Sequence, residues 1–165
     1  MAAGRHVSVT PATQALRNAG VAYGEHTYDY VDHGGTGEAA RQLGVDEARI
    51  IKTLLMQDER GKELVILMHG DCSVFTRNLA RAIGVKSVSP CTPEQAQRAT
   101  GYRVGGISPF GTRKRLPVYV ERSAMSLPKL LVNGGRRGYL LEVEPAVLSS
   151  LLGATEVECA LRESP

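Results

Sequence analysis

The sequence predicts a single α+β domain in which helices flank a mixed, mostly antiparallel sheet. Its 165 residues are enough for one domain with a substantial core and too few for two. Hydrophobic residues make up 42% and charged residues 22%, which is typical of a globular chain and argues against disorder, collagen and coiled coil. Helical and strand patterns are interspersed with no regular strand–helix–strand repeat. We expect residues 1–9 to form a flexible tail and residues 10–165 to form the domain.

Helices are predicted where a capping residue precedes helical spacing and a glycine follows it. Thr10 is suited to cap a helix that has Pro11 at its first position, and Gly20 ends that helix. Residues 92–95 resemble a capping box that opens a later helix. A flexible glycine turn at 34–37 precedes the second helix, and Asp46 caps a further helical turn. The predicted helices are 11–19, 38–43, 76–83, 93–100 and 145–152.

Strands are predicted from apolar alternation and from short apolar runs between turn residues. The polar turn 58–61 separates two such runs, which indicates a hairpin. Two further runs flank the glycine-arginine segment 134–138. The predicted strands are 21–30, 50–56, 63–68, 116–120, 130–132, 139–143 and a short strand near Val157.

The cysteine and histidine patterns argue against a disulfide scaffold and against a metal site. The three cysteines include no C-x-x-C pair, and the four histidines include no H-E-x-x-H pattern. Cys72 and His69 lie near each other in sequence, but no orienting Asn or Asp completes a nucleophilic set. The N-terminus lacks an apolar leader, and the longest apolar run, 64–68, is too short to span a bilayer. We therefore expect a reduced, cytoplasmic protein with no metal, no cofactor, no membrane attachment and no DNA partner.

The charge is segregated along the chain, although the net charge is only +3. Residues 95–141 contain nine Lys or Arg and one acid, Glu121, so this segment carries +8 and the rest carries −5. Such a basic, glycine-rich segment favours a phosphate or polyanion partner, and the alternative is a solvated basic face without a ligand. Aromatic residues make up only 5%, which argues against binding of single strands by stacking.

Lys52 and the segment 105–111 are the candidate chemical features. Lys52 lies in an otherwise apolar run, so its side chain either faces solvent on an edge strand or is partly desolvated at a site. Gly105 and Gly106 could present backbone N–H groups to a carbonyl oxygen that gains negative charge. The alternative is a structural loop that requires positive φ. No phosphate-loop lysine follows these glycines, and no G-x-S-x-G motif occurs.

Lys52 and the glycine segment belong to a larger set of short motifs. These are Thr10-Pro11-Ala12, His26-Thr27-Tyr28, Glu38-Ala39-Ala40, Lys52-Thr53-Leu54-Leu55, Ala99-Thr100-Gly101-Tyr102, Val104-Gly105-Gly106-Ile107-Ser108-Pro109, Arg113-Lys114-Arg115 and Gly134-Gly135-Arg136-Arg137-Gly138. In these motifs the chain resembles the YbaK/prolyl-tRNA-synthetase-associated family of editing domains, from about Thr10 to Val157, and the YbaK branch is the most similar.

The resemblance implies a trans-acting hydrolase that deacylates mischarged tRNA, foremost Cys-tRNA(Pro), with prolyl-tRNA synthetase as a candidate partner. It implies that Lys52 is central to the activity. On our hypothesis Lys52, Gly105 and Gly106 form the catalytic set, with either water or the substrate thiol as nucleophile. The residues expected to bind the substrate are Tyr28, Thr53, Ile107, Ser108, Asn133 and Gly134. The residues expected to bind tRNA phosphates are Arg113, Lys114, Arg115, Arg136 and Arg137.

Three departures from the family pattern concern the pocket, and they leave the identity of the aminoacyl substrate open. Residues 35–37 stand where an aromatic residue is frequent, Asn133 replaces a frequent Ser, and Leu140 replaces a frequent Asp. Deacylation of Ser-, Ala- or Thr-charged tRNA is therefore an alternative to Cys-tRNA(Pro). A module that binds tRNA or a synthetase without catalysis and a protein that binds small nucleotides are the alternatives from other classes.

Overall fold

The computed structural model describes residues 9–162, so most of the expected tail (residues 1–8) and the last three residues lie outside it. The helices are α1 (Pro11–Asn18), α2 (Gly35–Leu43), α3 (Thr76–Ile83), α4 (Pro93–Thr100) and α5 (Ala146–Leu152), with short 3-10 helices at Glu47–Arg49 and Arg122–Ser126. The strands are β1 (Gly24–Thr27), β2 (Ile51–Asp58), β3 (Glu63–His69), β4 (Cys72–Val74), β5 (Val88–Pro90), β6 (Val118–Glu121), β7 (Leu130–Asn133), β8 (Tyr139–Val143), β9 (Thr155–Val157) and β10 (Ala160–Arg162).

The strands form two sheets and one ribbon. The larger sheet has the order β5-β2-β3-β6-β9, the smaller has the order β1-β8-β7, and β4 pairs with β10. The pairings β3–β6 and β6–β9 are parallel, and the other pairings between strands are antiparallel. This mixed, mostly antiparallel arrangement with flanking helices confirms the predicted α+β class.

The hairpin of β2 and β3 is the centre of the fold. Leu54 pairs with Ile66 in its antiparallel register. Val65 and Leu67 belong to the main core, which includes residues of α1, α4, α5 and the smaller sheet. The alternate residues Ile66 and Met68 pack with Leu79 of α3 on the opposite face. Because β3 is buried on both faces, its sequence is a continuous apolar run rather than an alternation.

The predicted helix starts at Thr10 and Thr92 are confirmed. Thr10 accepts from the backbone N–H of Thr13, and Thr92 accepts from that of Gln95. In each case the third helical residue bonds back to the N-cap, which completes a capping box, and proline opens the helix. These capping signals lie within four residues, so both helix starts could be predicted from the local sequence.

Two local predictions are wrong in extent. The predicted strand 21–30 is reduced to Gly24–Thr27, because only these residues pair with β8. The glycine segment 34–37 is not a free turn, since Gly35 begins α2. The single hydroxyl proton of Thr36 is shared between the Glu47 carboxylate at 2.7 Å and the Gly70 carbonyl at 3.1 Å. These tertiary bonds hold a helical first turn that the glycines alone do not favour.

Candidate functional site

Strand β2 joins the two sheets, and the candidate site lies at this junction. Strand β5 pairs only with residues 56–58 of β2. Near the other end of β2, Ile50 forms a parallel bridge with Leu131 of β7. Two residues further along each strand, this register places Lys52 beside Asn133. We call this junction the seam, defined by Lys52, Thr53, Asn133 and Gly134.

A tight turn at Gly105 belongs to the long segment between α4 and β6. The Gly106 N–H donates to the Arg103 carbonyl over 2.9 Å and closes the turn. Gly105, the third residue of the turn, has φ +92°, which a type II turn requires and which glycine adopts without strain. Gly105 is exposed, and its N–H has no hydrogen-bond partner within residues 9–162. This N–H is therefore available to a ligand.

The Gly105 turn packs directly on the glycine-arginine loop 134–138. Asn133 Nδ2 donates to the Gly105 carbonyl over 3.2 Å, and its Oδ1 accepts from the Gly135 N–H over 2.7 Å. A Cβ on Gly106 would lie 2.9 Å from the backbone of Arg136. Gly106 is thus required for the contact between the two loops. The Gly106 N–H is already bonded to the Arg103 carbonyl, so of the two glycines only Gly105 has an N–H without a partner among the described residues.

The loop 134–138 is itself anchored on both sides. The Thr10 hydroxyl donates to the Gly134 carbonyl over 2.5 Å, and the Gly134 N–H donates to the Tyr139 carbonyl over 2.8 Å. Gly138 accepts from the Tyr28 N–H over 3.0 Å. Helix α1 and the end of β1 therefore hold the loop against the seam. Gly134 is buried, so it shapes the site through its backbone.

Lys52 is half-buried at the seam. Its Nζ donates to the carbonyl oxygen of Cys72, at the start of β4. Its side chain shares a face of β2 with Leu54 and Met56, which pack on the α3 side of the larger sheet. The structure therefore favours a fixed, partly desolvated cation over a solvated edge lysine. Among the hydrogen bonds of the described residues, none joins Lys52 to the Gly105 turn.

Thr53 carries an unsatisfied hydroxyl at the seam. Within residues 9–162, its Oγ1 is the buried side-chain oxygen that has no hydrogen-bond partner. A buried polar atom of this kind costs roughly 1–3 kcal/mol, and native proteins retain few of them. Buried polar atoms of this kind are completed either by an ordered water or by a ligand.

The other predicted substrate residues fall into two groups. Tyr28 is half-buried against Ile50 and Leu140, and burial raises the pKa of its hydroxyl, with Tyr30 adding to the rise. Tyr28 is therefore a neutral hydrogen-bonding group near pH 7. Ser108 is fully buried, and its Oγ accepts from the Phe110 N–H over 3.3 Å. Ile107 is partly buried and packs on the main core, so Ile107 and Ser108 both support the loop.

The five predicted phosphate-binding residues are not equivalent. Arg113 and Arg115 are exposed, and Lys114 forms an ion pair with Glu63 at 2.7 Å. The Arg136 guanidinium lies 4.6 Å from the centre of the Tyr139 ring. The Arg137 guanidinium lies 4.8 Å from the centre of the Tyr30 ring, and its Nε donates to the Val104 carbonyl over 3.0 Å. The role of Tyr30 was missed in the sequence, because Tyr30 lies about 75 residues from the Gly105 turn and more than 100 residues from Arg137.

His69 and Cys72 do not form a catalytic pair. The His69 ring bonds the Ala48 carbonyl and the Ser123 hydroxyl, each over 2.7 Å. Cys72 Sγ contacts the Asp71 carboxylate, and burial raises the pKa of the thiol. A thiol with a raised pKa and no histidine partner is a poor nucleophile at neutral pH.

No helix in the described part of the chain has the length and apolar character that crossing a bilayer requires. No group of three or more His, Cys, Asp or Glu residues in residues 9–162 is arranged so that it could hold a metal ion.

Comparison with known proteins identifies the family. The family model for the aminoacyl-tRNA editing domain matches residues 34–151, which include β2, the Gly105 turn and the loop 134–138. The chain therefore belongs to the aminoacyl-tRNA editing domain family, as the sequence motifs predicted.

Individual relatives agree with this assignment. "Putative Cys-tRNA(Pro)/Cys-tRNA(Cys) deacylase EbsC" of Enterococcus faecalis is 29% identical over 155 residues, which cover 93% of this chain and 94% of the relative. A proline–tRNA ligase of Acidithiobacillus ferrooxidans is 30% identical over 90 residues, which cover 54% of this chain and 16% of the ligase. A crystal structure described as a putative trans-editing enzyme for prolyl-tRNA synthetase shares the fold, with a TM-score of 0.76 and 24% identity over 95% of this chain and 100% of the neighbour.

Proposed function

We propose that this protein is a trans-acting deacylase that removes a wrongly attached amino acid from tRNA, foremost cysteine from tRNA(Pro). The observation that carries the proposal is that the exposed Gly105 has an N–H without a partner among the described residues, in a chain that belongs to an editing family. The name of the Enterococcus relative supports the choice of Cys-tRNA(Pro). Synthetases distinguish amino acids of similar size by only about 1–3 kcal/mol, so a second hydrolytic site has a physical reason to exist.

The reaction needs little chemical assistance, because an aminoacyl ester is already activated. Orientation of the ester, stabilisation of its oxyanion and a nucleophile suffice. We propose that the Gly105 N–H stabilises the oxyanion. With a cysteinyl substrate, the substrate thiol attacks its own carbonyl carbon and the ester C–O bond breaks. The thiol proton goes to the departing ribose oxygen, and the products are a thiolactone and free tRNA. Attack by water would instead release the free amino acid.

The seam side chains are proposed to position the substrate. Lys52 supplies a fixed cation on one face of β2, and the buried Thr53 hydroxyl, on the opposite face, offers a hydrogen bond that the protein leaves unused. Asn133 holds the Gly105 carbonyl and so supports the turn. Tyr28 packs beside Leu131 of β7 and Leu140 of β8, next to the seam. Gly106, Gly134, Ile107 and Ser108 contribute by shaping the two loops rather than through their own polar atoms.

Exposed basic residues are proposed to hold the tRNA backbone. Arg113 and Arg115 project from the segment that follows the Gly105 loop. Lys114 and Arg136 add positive potential, although the first is paired with Glu63 and the second lies over Tyr139. Contacts of this kind supply affinity without reading sequence. The match to part of a proline–tRNA ligase supports prolyl-tRNA synthetase as a candidate partner, which would add specificity for the tRNA.

Two other functions remain as alternatives. The same site could remove Ser, Ala or Thr, because residues 35–37, Asn133 and Leu140 depart from the family pattern at the pocket. A non-catalytic module that binds tRNA would require neither the fixed Lys52 cation nor an unsatisfied Thr53 hydroxyl, so these two features favour an enzyme.

The test is a panel of tRNAs charged with Cys, Ser, Ala, Thr or Pro, in which loss of the ester is followed with time. We expect rapid loss from Cys-tRNA(Pro) and none from Pro-tRNA(Pro). Lys52→Ala should slow the reaction by at least about 100-fold while the melting temperature stays close to that of the wild type. Binding of tRNA with every ester left intact would instead establish the non-catalytic module.

A further inference from the structure

The peptide bond between Val104 and Gly105 is held by residues of the second loop. Its carbonyl accepts from Arg137 Nε over 3.0 Å, and the next carbonyl, that of Gly105, accepts from Asn133 Nδ2 over 3.2 Å. Both donors lie about 30 residues away in the chain. The orientation of the turn is therefore decided by tertiary contacts.

Fixing this carbonyl also fixes the direction of the unpartnered N–H. In a trans peptide the C=O and the following N–H point in opposite directions, and the described chain contains no cis peptide. The Gly105 N–H therefore points away from Arg137. Type I and type II turns differ mainly by a flip of this central peptide, and glycine at the third position permits both. Without a partner for the Val104 carbonyl, the N–H could turn toward the opposite side.

Arg137 is committed to this contact. Its guanidinium lies 4.8 Å from the centre of the Tyr30 ring, a distance at which a cation is attracted to an aromatic face. A Cβ added to Gly105 would meet the Tyr30 hydroxyl at 2.8 Å and Arg137 Nε at 3.0 Å. Tyr30 and Arg137 therefore enclose the turn from one side. The guanidinium groups of the exposed Arg113 and Arg115, in contrast, have no such contacts with a ring or a carbonyl among the described residues.

We infer that Arg137, supported by Tyr30, is a positioning residue that locks the Val104–Gly105 peptide so that the Gly105 N–H faces the ester carbonyl of the substrate. Its guanidinium thus interacts with groups of the protein itself and not with a tRNA phosphate. This inference rests on the proposed deacylase function for its catalytic consequence, and the orientation of the peptide can be tested without it.

The kinetic experiment compares Arg137→Met and Arg137→Lys with Arg115→Met and with Arg77→Met, an exposed arginine on α3. The substrate is Cys-tRNA(Pro), assayed over a range of salt concentrations. Both Arg137 variants should lower kcat on the order of tenfold to a hundredfold while KM and its salt dependence stay near the wild-type values. Arg115→Met should instead raise KM and weaken the salt dependence, and Arg77→Met should change neither.

The structural experiment is independent of catalysis. A type II turn brings the Val104 Hα close to the Gly105 amide proton, so the wild-type protein should show a strong NMR cross-peak between them. In Arg137→Met this cross-peak should weaken as the peptide flips, while amide signals of β2 and β3 are unchanged. Tyr30→Leu should weaken it less, because the hydrogen bond from Arg137 remains.

The outcomes separate the two proposals. If the wild type hydrolyses no ester, the deacylase function fails, and the cross-peak alone decides whether Arg137 orients the turn. Raised KM and a weaker salt dependence with unchanged kcat in Arg137→Met would make Arg137 a phosphate contact and overturn the inference. Wild-type kinetics in both Arg137 variants, or an unchanged cross-peak, would overturn it as well.

Discussion

Thr53 combines a structural cost with a proposed functional benefit. Its buried Oγ1 has no hydrogen-bond partner in the described part of the chain, although it lies on the central strand β2. A polar atom in this state destabilises the fold unless a ligand completes it. Residues of this kind connect the energetics of folding with those of binding.

We predict that Thr53→Val makes the protein more stable and less active. Valine has nearly the same shape and no unsatisfied oxygen, so the free energy of unfolding should rise by up to about 1 kcal/mol. Loss of the hydroxyl should slow deacylation of bound substrate. Urea unfolding and single-turnover kinetics measure the two effects. A variant that is less stable would show that the hydroxyl is satisfied in solution.

Gly105 and Gly106 are adjacent but should respond differently to alanine. A Cβ on Gly106 meets the Arg136 and Arg137 backbone at 2.9 Å, and backbone cannot move aside cheaply. Gly106→Ala should therefore lower stability by about 1–3 kcal/mol. A Cβ on Gly105 would have the Tyr30 and Arg137 side chains as its nearest neighbours, and alanine there needs φ +92°. Gly105→Ala should reorient the turn, so its main effect should be a lower kcat, and the free energy of unfolding should change less.

Denaturation and kinetics on both glycine variants check this contrast. Gly134 would be an unsuitable control, because a Cβ there would lie 2.5 Å from the Tyr139 ring. Gly20→Ala is the matched control, since its φ is +68° and no atom lies within 4 Å of a Cβ placed there. It should show the cost of positive φ alone. Equal loss of stability in all three variants would argue against the loop contact as the reason for Gly106.

At the level of elements, Glu142 of β8 connects three segments. Its carboxylate bonds His26 Nε2 of β1 over 2.9 Å and Arg49 Nη2 over 2.7 Å. The hydrogen bond with His26, followed by that with Arg49, lowers the pKa of Glu142 below its ordinary value of 4.5. The side chain is still 25% exposed, so solvent weakens both interactions.

The sign of the pH dependence follows from this lowered pKa. The folded state prefers the ionised carboxylate, so the stabilisation is present above about pH 4.5 and is lost as the pH falls through the folded pKa. Glu142→Gln should flatten the decrease in melting temperature between pH 6 and pH 3 and lower the melting temperature at pH 7. Parallel curves for the two proteins would show that Glu142 does not contribute to acid sensitivity.

The elements differ in how far local sequence determined them. The hairpin β2–β3 and the capped helices α1 and α4 were predicted, because apolar runs and capping boxes act within a few residues. Strands β4, β5 and β10 were missed, since three residues carry too little pattern and each is defined by its partner. Helix α2 begins at Gly35 because Thr36 bonds Glu47 and Gly70 from elsewhere in the fold.

At the level of the whole molecule, the segregated charge should govern the binding of tRNA. The segment 95–141 carries +8 and includes the exposed Arg113 and Arg115. Replacing both with Met should reduce the slope of log K against log salt by about 1–2, as expected for the loss of one or two phosphate contacts. Filter binding at several salt concentrations measures the slope. An unchanged slope would place the phosphate contacts elsewhere.

The sequence by itself determined the family, the α+β class, most helix starts, the segregated charge and the residues Lys52 and Gly105 as candidates. These features are local or compositional, so they can be predicted without the tertiary structure. Only the tertiary structure decided that Gly106 and Ser108 serve the loops, that the Gly105 N–H is free, and that Arg137 is bonded to Val104. Each of these depends on which backbone groups are already paired. In the two loops, the paired groups come from segments about 30 residues apart, so the local sequence does not reveal the pairing. The physical reason that pairing matters is that a hydrogen-bonding group is available to a substrate only when no protein group already bonds it.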